Sequence, residues 1–253
     1  ASVGRDFSFA IQSVGMTSAS IWILSAGYQV AWRWLRPAMF GALVATPLGC
    51  LYLAPTLSDL GSKLTFTILV GAYGVTQVFR SDRRATPAQA QPSTNSSRWW
   101  IGALMGLFGS ALCVACGSGA DIVIYMALML FLGSELRCAL YTSVLLMAWT
   151  SLLGIMTQMA LGHVDAEVQT AWLAAAPVVL FGAPLGALAA AYISRKITQR
   201  LVTALCLIQV VWFCGYEGLS LPAHLGVWLA VFTGFGLLRA AQRLQMRSRE
   251  RVE

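Results

Sequence analysis

Charged residues are scarce in this sequence, and their scarcity excludes an ordinary soluble domain. Lysine, arginine, aspartate and glutamate make up 11% of the 253 residues, hydrophobic residues make up 58%, and the mean hydropathy is +0.70. A typical soluble domain is about 25% charged. A helix that crosses a bilayer core of ~30 Å needs roughly 20 mostly apolar residues, and such runs recur along the chain. The composition therefore predicts a membrane protein.

The sequence also lacks the residue patterns of most enzymes and metal proteins. Histidine occurs only as His163 and His224, and there is no P-loop, GxSxG or HExxH motif, which argues against ATP coupling, an embedded hydrolase and a zinc site. The six cysteines lie in or beside apolar runs, so we interpret them as packing residues. The CxxC spacing of Cys113 and Cys116 leaves a redox or metal pair as the alternative. We expect no cofactor and no enzymatic activity.

Nine apolar segments divide the chain into predicted helices, which makes the fold an all-α polytopic transmembrane bundle. The fifth is short for a full span, so it either crosses with a tilt or re-enters together with the fourth. The segments lie at approximately 7–27, 37–55, 60–79, 99–117, 120–134, 136–161, 171–193, 201–216 and 223–239.

Basic residues indicate the orientation of these segments. If the Pro- and Ser-rich linker at 81–98 is cytoplasmic and the segments alternate, every lysine and arginine except Arg5 and Lys63 lies inside. This is the positive-inside pattern of a cytoplasmic membrane protein, with the C-terminus also inside. The basic residues behind the net charge of +7 then set the topology and contact lipid headgroups. They do not indicate nucleic-acid binding.

An internal repeat is the most informative feature of the sequence. Thr46-Pro47-Leu48-Gly49 recurs as Ala183-Pro184-Leu185-Gly186, and a base followed by leucine comes 16 residues after each proline, at Lys63 and Arg200. Segments one to three therefore resemble segments six to eight. Because the predicted topology gives the two sets opposite directions, the repeats are inverted, as in many secondary transporters.

The repeat also predicts the division of the chain into parts. We expect a first transmembrane repeat at 1–80, a linker at 81–98, a second repeat at 99–216, and an extra helix with a basic tail at 217–253. Segments four and five have no counterpart in the first repeat. The first repeat is therefore expected to be truncated at its N-terminus.

A glycine break between segments four and five is the sharpest candidate site. Gly117, Ser118 and Gly119 allow the backbone to approach a ligand closely, and a helix beginning after them would direct free N–H groups at an anion. Asp121 follows, and we predict that it couples transport to an ion; an ordinary turn capped by Asp121 is the alternative.

Two polar stripes complete the predicted site. Gln12 and Ser13 lie in segment one and Thr142 and Ser143 in segment six, at equivalent places in the repeats. Small polar residues often serve helix packing in membranes. Facing each other across a pseudo-twofold axis, they would instead form a substrate-binding seam.

These residues together resemble the sulfite exporter TauE/SafE family of membrane permeases. The resemblance covers about residues 6–216 and depends on the order and duplication of the motifs. It departs from the family in lacking a first glycine-rich segment and in its glycine break, which reads Gly-Ser-Gly-Ala. The matching stretches are Asp6–Thr17, Pro47–Gly49, Gly102–Gly119, Leu136–Ser143, Thr150–Gly154, Gly162–Asp165 and Gly182–Gly186.

The resemblance implies a permease that exports small sulfur-containing or organic anions, such as sulfite or sulfonates, across the cytoplasmic membrane. Its expected partners are the anion and the lipid bilayer, with a homo-oligomer as a further option. An anion channel-like pore and a non-transporting membrane subunit with an assembly or sensory role are the alternatives.

Overall fold

The computed structural model describes residues 2–78, 96–117, 119–131, 134–216 and 221–250. In these ranges the chain is helical, without strands, and each helix coincides with one predicted apolar segment. The prediction of an all-α polytopic bundle is confirmed. The helices are α1 (Ser2–Ser25), α2 (Trp32–Leu48), α3 (Asp59–Val78), α4 (Ser96–Cys116), α5 (Ala120–Met126), α6 (Leu136–Ala160), α7 (Ala166–Tyr192), α8 (Arg195–Tyr216) and α9 (Leu221–Glu250).

Most of these helices have the length and hydropathy of membrane spans. Among the described residues six stretches qualify, namely Val3–Ser25, Trp32–Thr56, Trp99–Cys116, Leu136–Ala160, Ala166–Tyr192 and Lys196–Tyr216. Helix α3 is not among them, and α5 is a shorter apolar helix. The protein is therefore a multi-pass membrane protein.

Two helices change their winding within the apolar region. After Pro47, α2 continues as a π-helical turn, Gly49–Leu53, and a 3₁₀ turn, Ala54–Thr56. Helix α5 likewise passes into a π-helical turn, Ala127–Phe131. A proline has no backbone N–H to donate and displaces the preceding turn, which accounts for the irregular end of α2.

The helices form two compact units that are interleaved along the chain. Unit 1 contains α1, α2 and α4 to α7, and unit 2 contains α3, α8 and α9. Each predicted repeat therefore contributes helices to both units. The predicted linker at 81–98 falls largely outside the described residues.

Close packing between α2 and α4 shows that they run parallel in unit 1. A Cβ on Gly106 would lie 1.9 Å from the carbonyl oxygen of Ala38, and a Cβ on Gly49 would lie 3.1 Å from Val114. Only a hydrogen atom fits at Gly106 and the contact at Gly49 is tight, which is how small residues allow membrane helices to approach.

Helix α1 packs between α6 and α7 and runs antiparallel to α6 but parallel to α7. Phe9, near the start of α1, contacts Gly154 near the end of α6, and Gly15 contacts Val179 and Ala183 of α7. Helix α6 runs parallel to α2, because Thr142 accepts from Ala31 just before α2 and Trp149 Nε1 donates to the Met39 carbonyl further along both helices, at 3.0 Å.

The two ends of unit 1 differ in charge. The Arg5 end, where α1 and α7 begin and α2, α4 and α6 terminate, carries Arg5, Asp6 and the loop with His163 and Asp165. The opposite end, which we call the Arg33 end, carries Arg33, Arg36 and Arg137 at the starts of α2 and α6.

Unit 2 contains an antiparallel pair. A Cβ on Gly71 of α3 would meet Val210 of α8, and one on Gly74 would meet Cys206. The residue numbers rise in one helix as they fall in the other, so Lys63 and Arg200, each near the start of its helix, lie at opposite ends of the pair. Inverted repeats require this arrangement, and the repeat itself stays a prediction.

Candidate functional site

Three polar side chains share one face of α1 at the Arg5 end of unit 1. Arg5, Ser8 and Gln12 follow the spacing i, i+3 and i+7, which places them on one side of an α-helix. Gln12 Nε2 donates to Ser8 Oγ at 2.8 Å. The next face, with Asp6 and Phe9, packs on α6. The contacts of Asp6 and Phe9 with α6 thus hold the polar face in a fixed orientation.

The glycine break contacts this polar face directly. Ser8 Oγ donates to the carbonyl oxygen of Gly117 at 2.7 Å. Gly117 and Gly119 have φ angles of 77° and 137°, which side chains with a Cβ rarely adopt, so the turn from α4 into α5 depends on both glycines. Ser118, the third residue of the predicted break, lies outside the described residues.

Gln12 also connects α1 with α6. Ser151 Oγ donates to Gln12 Oε1 at 3.3 Å, and Ser151 is fully buried. The polar residues of segments one and six therefore meet at Gln12 and Ser151. Together Gly117, Ser8, Gln12 and Ser151 form a continuous chain of hydrogen-bonding groups, which we call the polar chain.

Arg5 extends the polar chain towards the end of α2. Its Nε donates to Asp6 Oδ1 at 3.3 Å and its Nη1 donates to the carbonyl oxygen of Ala54 at 3.4 Å. The side chain is 14% exposed. A largely buried cation thus lies next to the glycine break, since a Cβ on Gly117 would be 3.3 Å from the Arg5 Cα.

Asp6 is held mainly from α6. Gln158 Nε2 donates to Asp6 Oδ1 at 2.7 Å, and both residues are buried. The other amide atom, Gln158 Oε1, lies 3.4 Å from His163 Nδ1 in the exposed loop between α6 and α7. This arrangement joins α1, α6 and the loop at the Arg5 end.

The hydroxyls of Ser13, Thr142 and Ser143, which the sequence also assigns to substrate binding, each donate to a carbonyl of their own helix. Ser13 Oγ donates to the Ala10 carbonyl and Ser143 Oγ to the Leu140 carbonyl. Thr142 Oγ1 donates to Cys138 and accepts the backbone N–H of Ala31, ahead of α2. Thr142 and Ser143 lie nearer the Arg33 end, about 13 Å of helix rise from Ser151.

Asp121 lies in the first turn of α5, just after the glycine break. Among the described residues its Oδ1 atom is buried and has no hydrogen-bond partner. A buried carboxylate oxygen without a donor is costly, so this atom is available to a proton or a cation. The structure does not connect Asp121 to the polar chain by any hydrogen bond between described residues.

The cysteines behave as packing residues. All six are free thiols, and Cys113 is buried in an apolar cluster with Phe9, Cys50 and Met147. Within the described ranges no group of three or more histidine, cysteine or acidic side chains could hold a metal ion.

Sequence reasoning missed Ser8, Arg5 and Gln158 as parts of the site. Ser8 lies one helical turn before Gln12, so the spacing of the two residues predicts that they share a face of α1. From the sequence, Arg5 is predicted only to be a charge on the outer side of the membrane. Gln158 carries no local signal, because its partner Asp6 is distant in the sequence.

Comparison with known proteins places the chain in a family. A family model described as sulfite exporter TauE/SafE matches residues 7–213, which include most of α1, all of α2 to α7, most of α8 and the whole polar chain, while Arg5 and Asp6 lie just before the matched range. No curated protein and no solved structure matches the chain. By the extent of the family match, the chain belongs to the sulfite exporter TauE/SafE family of membrane transporters.

Proposed function

We propose that the protein is a secondary transporter that exports sulfite, sulfonates or related small anions across the cytoplasmic membrane. The family supplies the transporter class. The observation that carries the proposal is the polar chain, a run of uncharged hydrogen-bonding groups inside a largely apolar unit. A transported anion needs donors along its path that do not hold it permanently.

The chemistry of the polar chain suits an oxyanion. The hydroxyls of Ser8 and Ser151 and the amide of Gln12 can each donate to an oxygen atom after rotating away from their present partners. The carbonyl oxygen of Gly117 marks the point where the backbone of the glycine break approaches Ser8. Ser118 and Gly119 belong to the same proposed substrate-binding segment.

The directions of the helices support alternating access between two inverted halves. Helices α1 and α6, which the sequence pairs as equivalents, are antiparallel and meet at Gln12 and Ser151. Helices α2 and α7 also run in opposite directions. A seam between equivalent helices is the usual place for a substrate in transporters built from inverted repeats.

The charges at the two ends of unit 1 support the proposed orientation. Arg33, Arg36 and Arg137 gather at one end, which the positive-inside rule assigns to the cytoplasm. The Arg5 end then faces outward. Thr142 and Ser143, near the Arg33 end, and Ser13 next to Gln12 would contact the anion at other stages of its passage.

Asp121 is our proposed ion-coupling residue. Its unpartnered Oδ1 would be stabilised by a proton or by a bound cation, and its place beside the glycine break would make anion binding sensitive to that ion. Exposed acids such as Asp165 and Glu167 are already solvated and have no comparable reason to bind one.

Flux in reconstituted vesicles tests the proposed function. Vesicles containing the full chain should transport labelled sulfite or a labelled sulfonate above the rate of empty vesicles, and an imposed ion gradient should drive accumulation. Flux that ignores every gradient would indicate a channel-like pore. Absence of flux for all sulfur oxyanions tested, with a stoichiometric co-purifying partner, would indicate a non-transporting subunit.

A further inference from the structure

The Arg5 side chain is only partly committed to the protein. Its contacts to Asp6 and Ala54 measure 3.3 and 3.4 Å, whereas charge-assisted N–H···O bonds are typically about 2.7–2.9 Å and arginine–carboxylate pairs are often bidentate. These contacts use two of the five guanidinium donors. The other three have no partner among the described residues.

Asp6, in contrast, is held firmly by another group. Its short hydrogen bond of 2.7 Å comes from Gln158, and the aspartate is 1% exposed. The carboxylate therefore compensates the charge of Arg5 without occupying its fork. A cation that served only as a structural counter-ion would be expected to form the bidentate pair.

Arg5 lies next to the proposed anion path, so its unpartnered donors are close to where an anion would pass. Arg5 lies on the same face of α1 as Ser8 and Gln12, and its Cα lies beside the glycine break at Gly117. A charged side chain in a membrane bundle usually marks a substrate or ion path.

From this geometry we propose that Arg5 recognises the negative charge of the transported anion with its free guanidinium fork, and that Asp6 is the counter-ion with which the anion competes. The inference rests on the proposed transport function and adds its charge-recognising residue. The ligand class is an oxyanion with at least two exposed oxygens, such as sulfite or a sulfonate. A lysine would supply charge but not the planar fork.

Titration calorimetry with sulfite and with methanesulfonate, on the full chain in detergent, tests this inference. Arg5→Gln should weaken binding about 10-fold or more and Arg5→Lys by a smaller factor, because hydrogen bonds to charged groups are lost. Asp6→Asn should tighten binding severalfold, since the competing charge is removed. Arg137→Gln, the same substitution at the Arg33 end, should bind like the wild type.

The outcomes separate this inference from the proposed function. If the wild type binds sulfite and the folded Arg5 variants bind it equally well, Arg5 is not the recognising residue, although the transporter proposal survives. If the wild type binds none of the anions, both the role of Arg5 and the proposed transport function are contradicted. Should Arg5→Gln fail to fold, Arg5→Lys and Asp6→Asn decide the question, and wild-type affinity in both would overturn it.

Discussion

Gln158 donates its side-chain amide to Asp6 Oδ1 across 2.7 Å, although 152 positions separate the two residues in the sequence. Both are buried. The bond fixes the beginning of α1 against the end of α6, and it leaves Arg5 with one longer contact to the same carboxylate oxygen, at 3.3 Å. One amide thus connects the packing of unit 1 with the electrostatics of the proposed site.

Replacing Gln158 by leucine should destabilise the protein. The substitution leaves the buried Asp6 carboxylate without its shortest hydrogen bond, and an unsatisfied buried acceptor costs about 1–3 kcal/mol, or more when it is charged. Thermal unfolding of the purified protein in detergent should show a clear decrease in Tm. Gln169→Leu is the matched control, because Gln169 is exposed and its only described side-chain contact is long, at 3.5 Å; an equal loss in both variants would contradict the role of the buried bond.

Gly106→Ala should be among the most disruptive small substitutions in unit 1. The added methyl group would lie 1.9 Å from the Ala38 carbonyl oxygen, so the backbones of α2 and α4 would have to separate. Overpacking of this kind costs about 1–3 kcal/mol and occasionally more. Gly186→Ala has open space around it and should leave Tm unchanged or slightly raised. Similar unfolding curves for the two variants would show that α2 and α4 do not approach as described.

The helices could be predicted from the sequence because hydropathy is a local property. Each apolar run forms one helix. The boundaries shifted where polar residues extend a helix, as in α9, which continues through basic residues to Glu250. The positions of the helices depend on local hydropathy and not on tertiary contacts, so the sequence alone predicts them.

The candidate site was only partly predictable because its connections are made between distant residues. Gln12 and Gly117 were identified, but their link through Ser8 depends on the packing of α1 against the end of α4. Polarity and an equivalent place in the repeat predict that Thr142 contacts substrate, while its hydroxyl accepts the Ala31 N–H in the structure. The sequence alone does not show which group a hydroxyl in a membrane helix bonds to.

Asp121→Asn should uncouple transport from the driving ion. Asparagine keeps the size of the side chain but cannot take up a proton or carry a charge, so accumulation of labelled anion under an imposed gradient should disappear. Downhill exchange of anion should persist. Asp165→Asn, in the exposed loop after α6, is the control and should remain coupled. Gradient-driven accumulation by Asp121→Asn at the wild-type rate would remove Asp121 from the mechanism.

Thr142→Val should lower stability, because it deletes the acceptor for the Ala31 N–H at the start of α2. Leaving a buried donor without its acceptor costs about 1–3 kcal/mol, which Tm measurements on the purified protein would detect. Thr142→Ser retains the hydroxyl and should unfold close to the wild type. If both variants match the wild type in Tm, the hydroxyl does not support α2, and its predicted contact with substrate becomes the better explanation.

Gln12→Glu should weaken anion binding more strongly than Gln12→Leu. Leucine removes the donor to Ser8 and the acceptor for Ser151, whereas glutamate keeps an acceptor for Ser151 but places a negative charge on the polar chain. Like charges a few ångströms apart repel by several kcal/mol in a medium of low effective dielectric, so we expect sulfite affinity to fall by about 10-fold or more. The same substitution at the exposed Gln169 should leave affinity unchanged, because water screens that position. Equal affinities of Gln12→Glu and wild type would mean that the anion never approaches Gln12, and the polar chain would then be a packing feature of α1 and α6 alone.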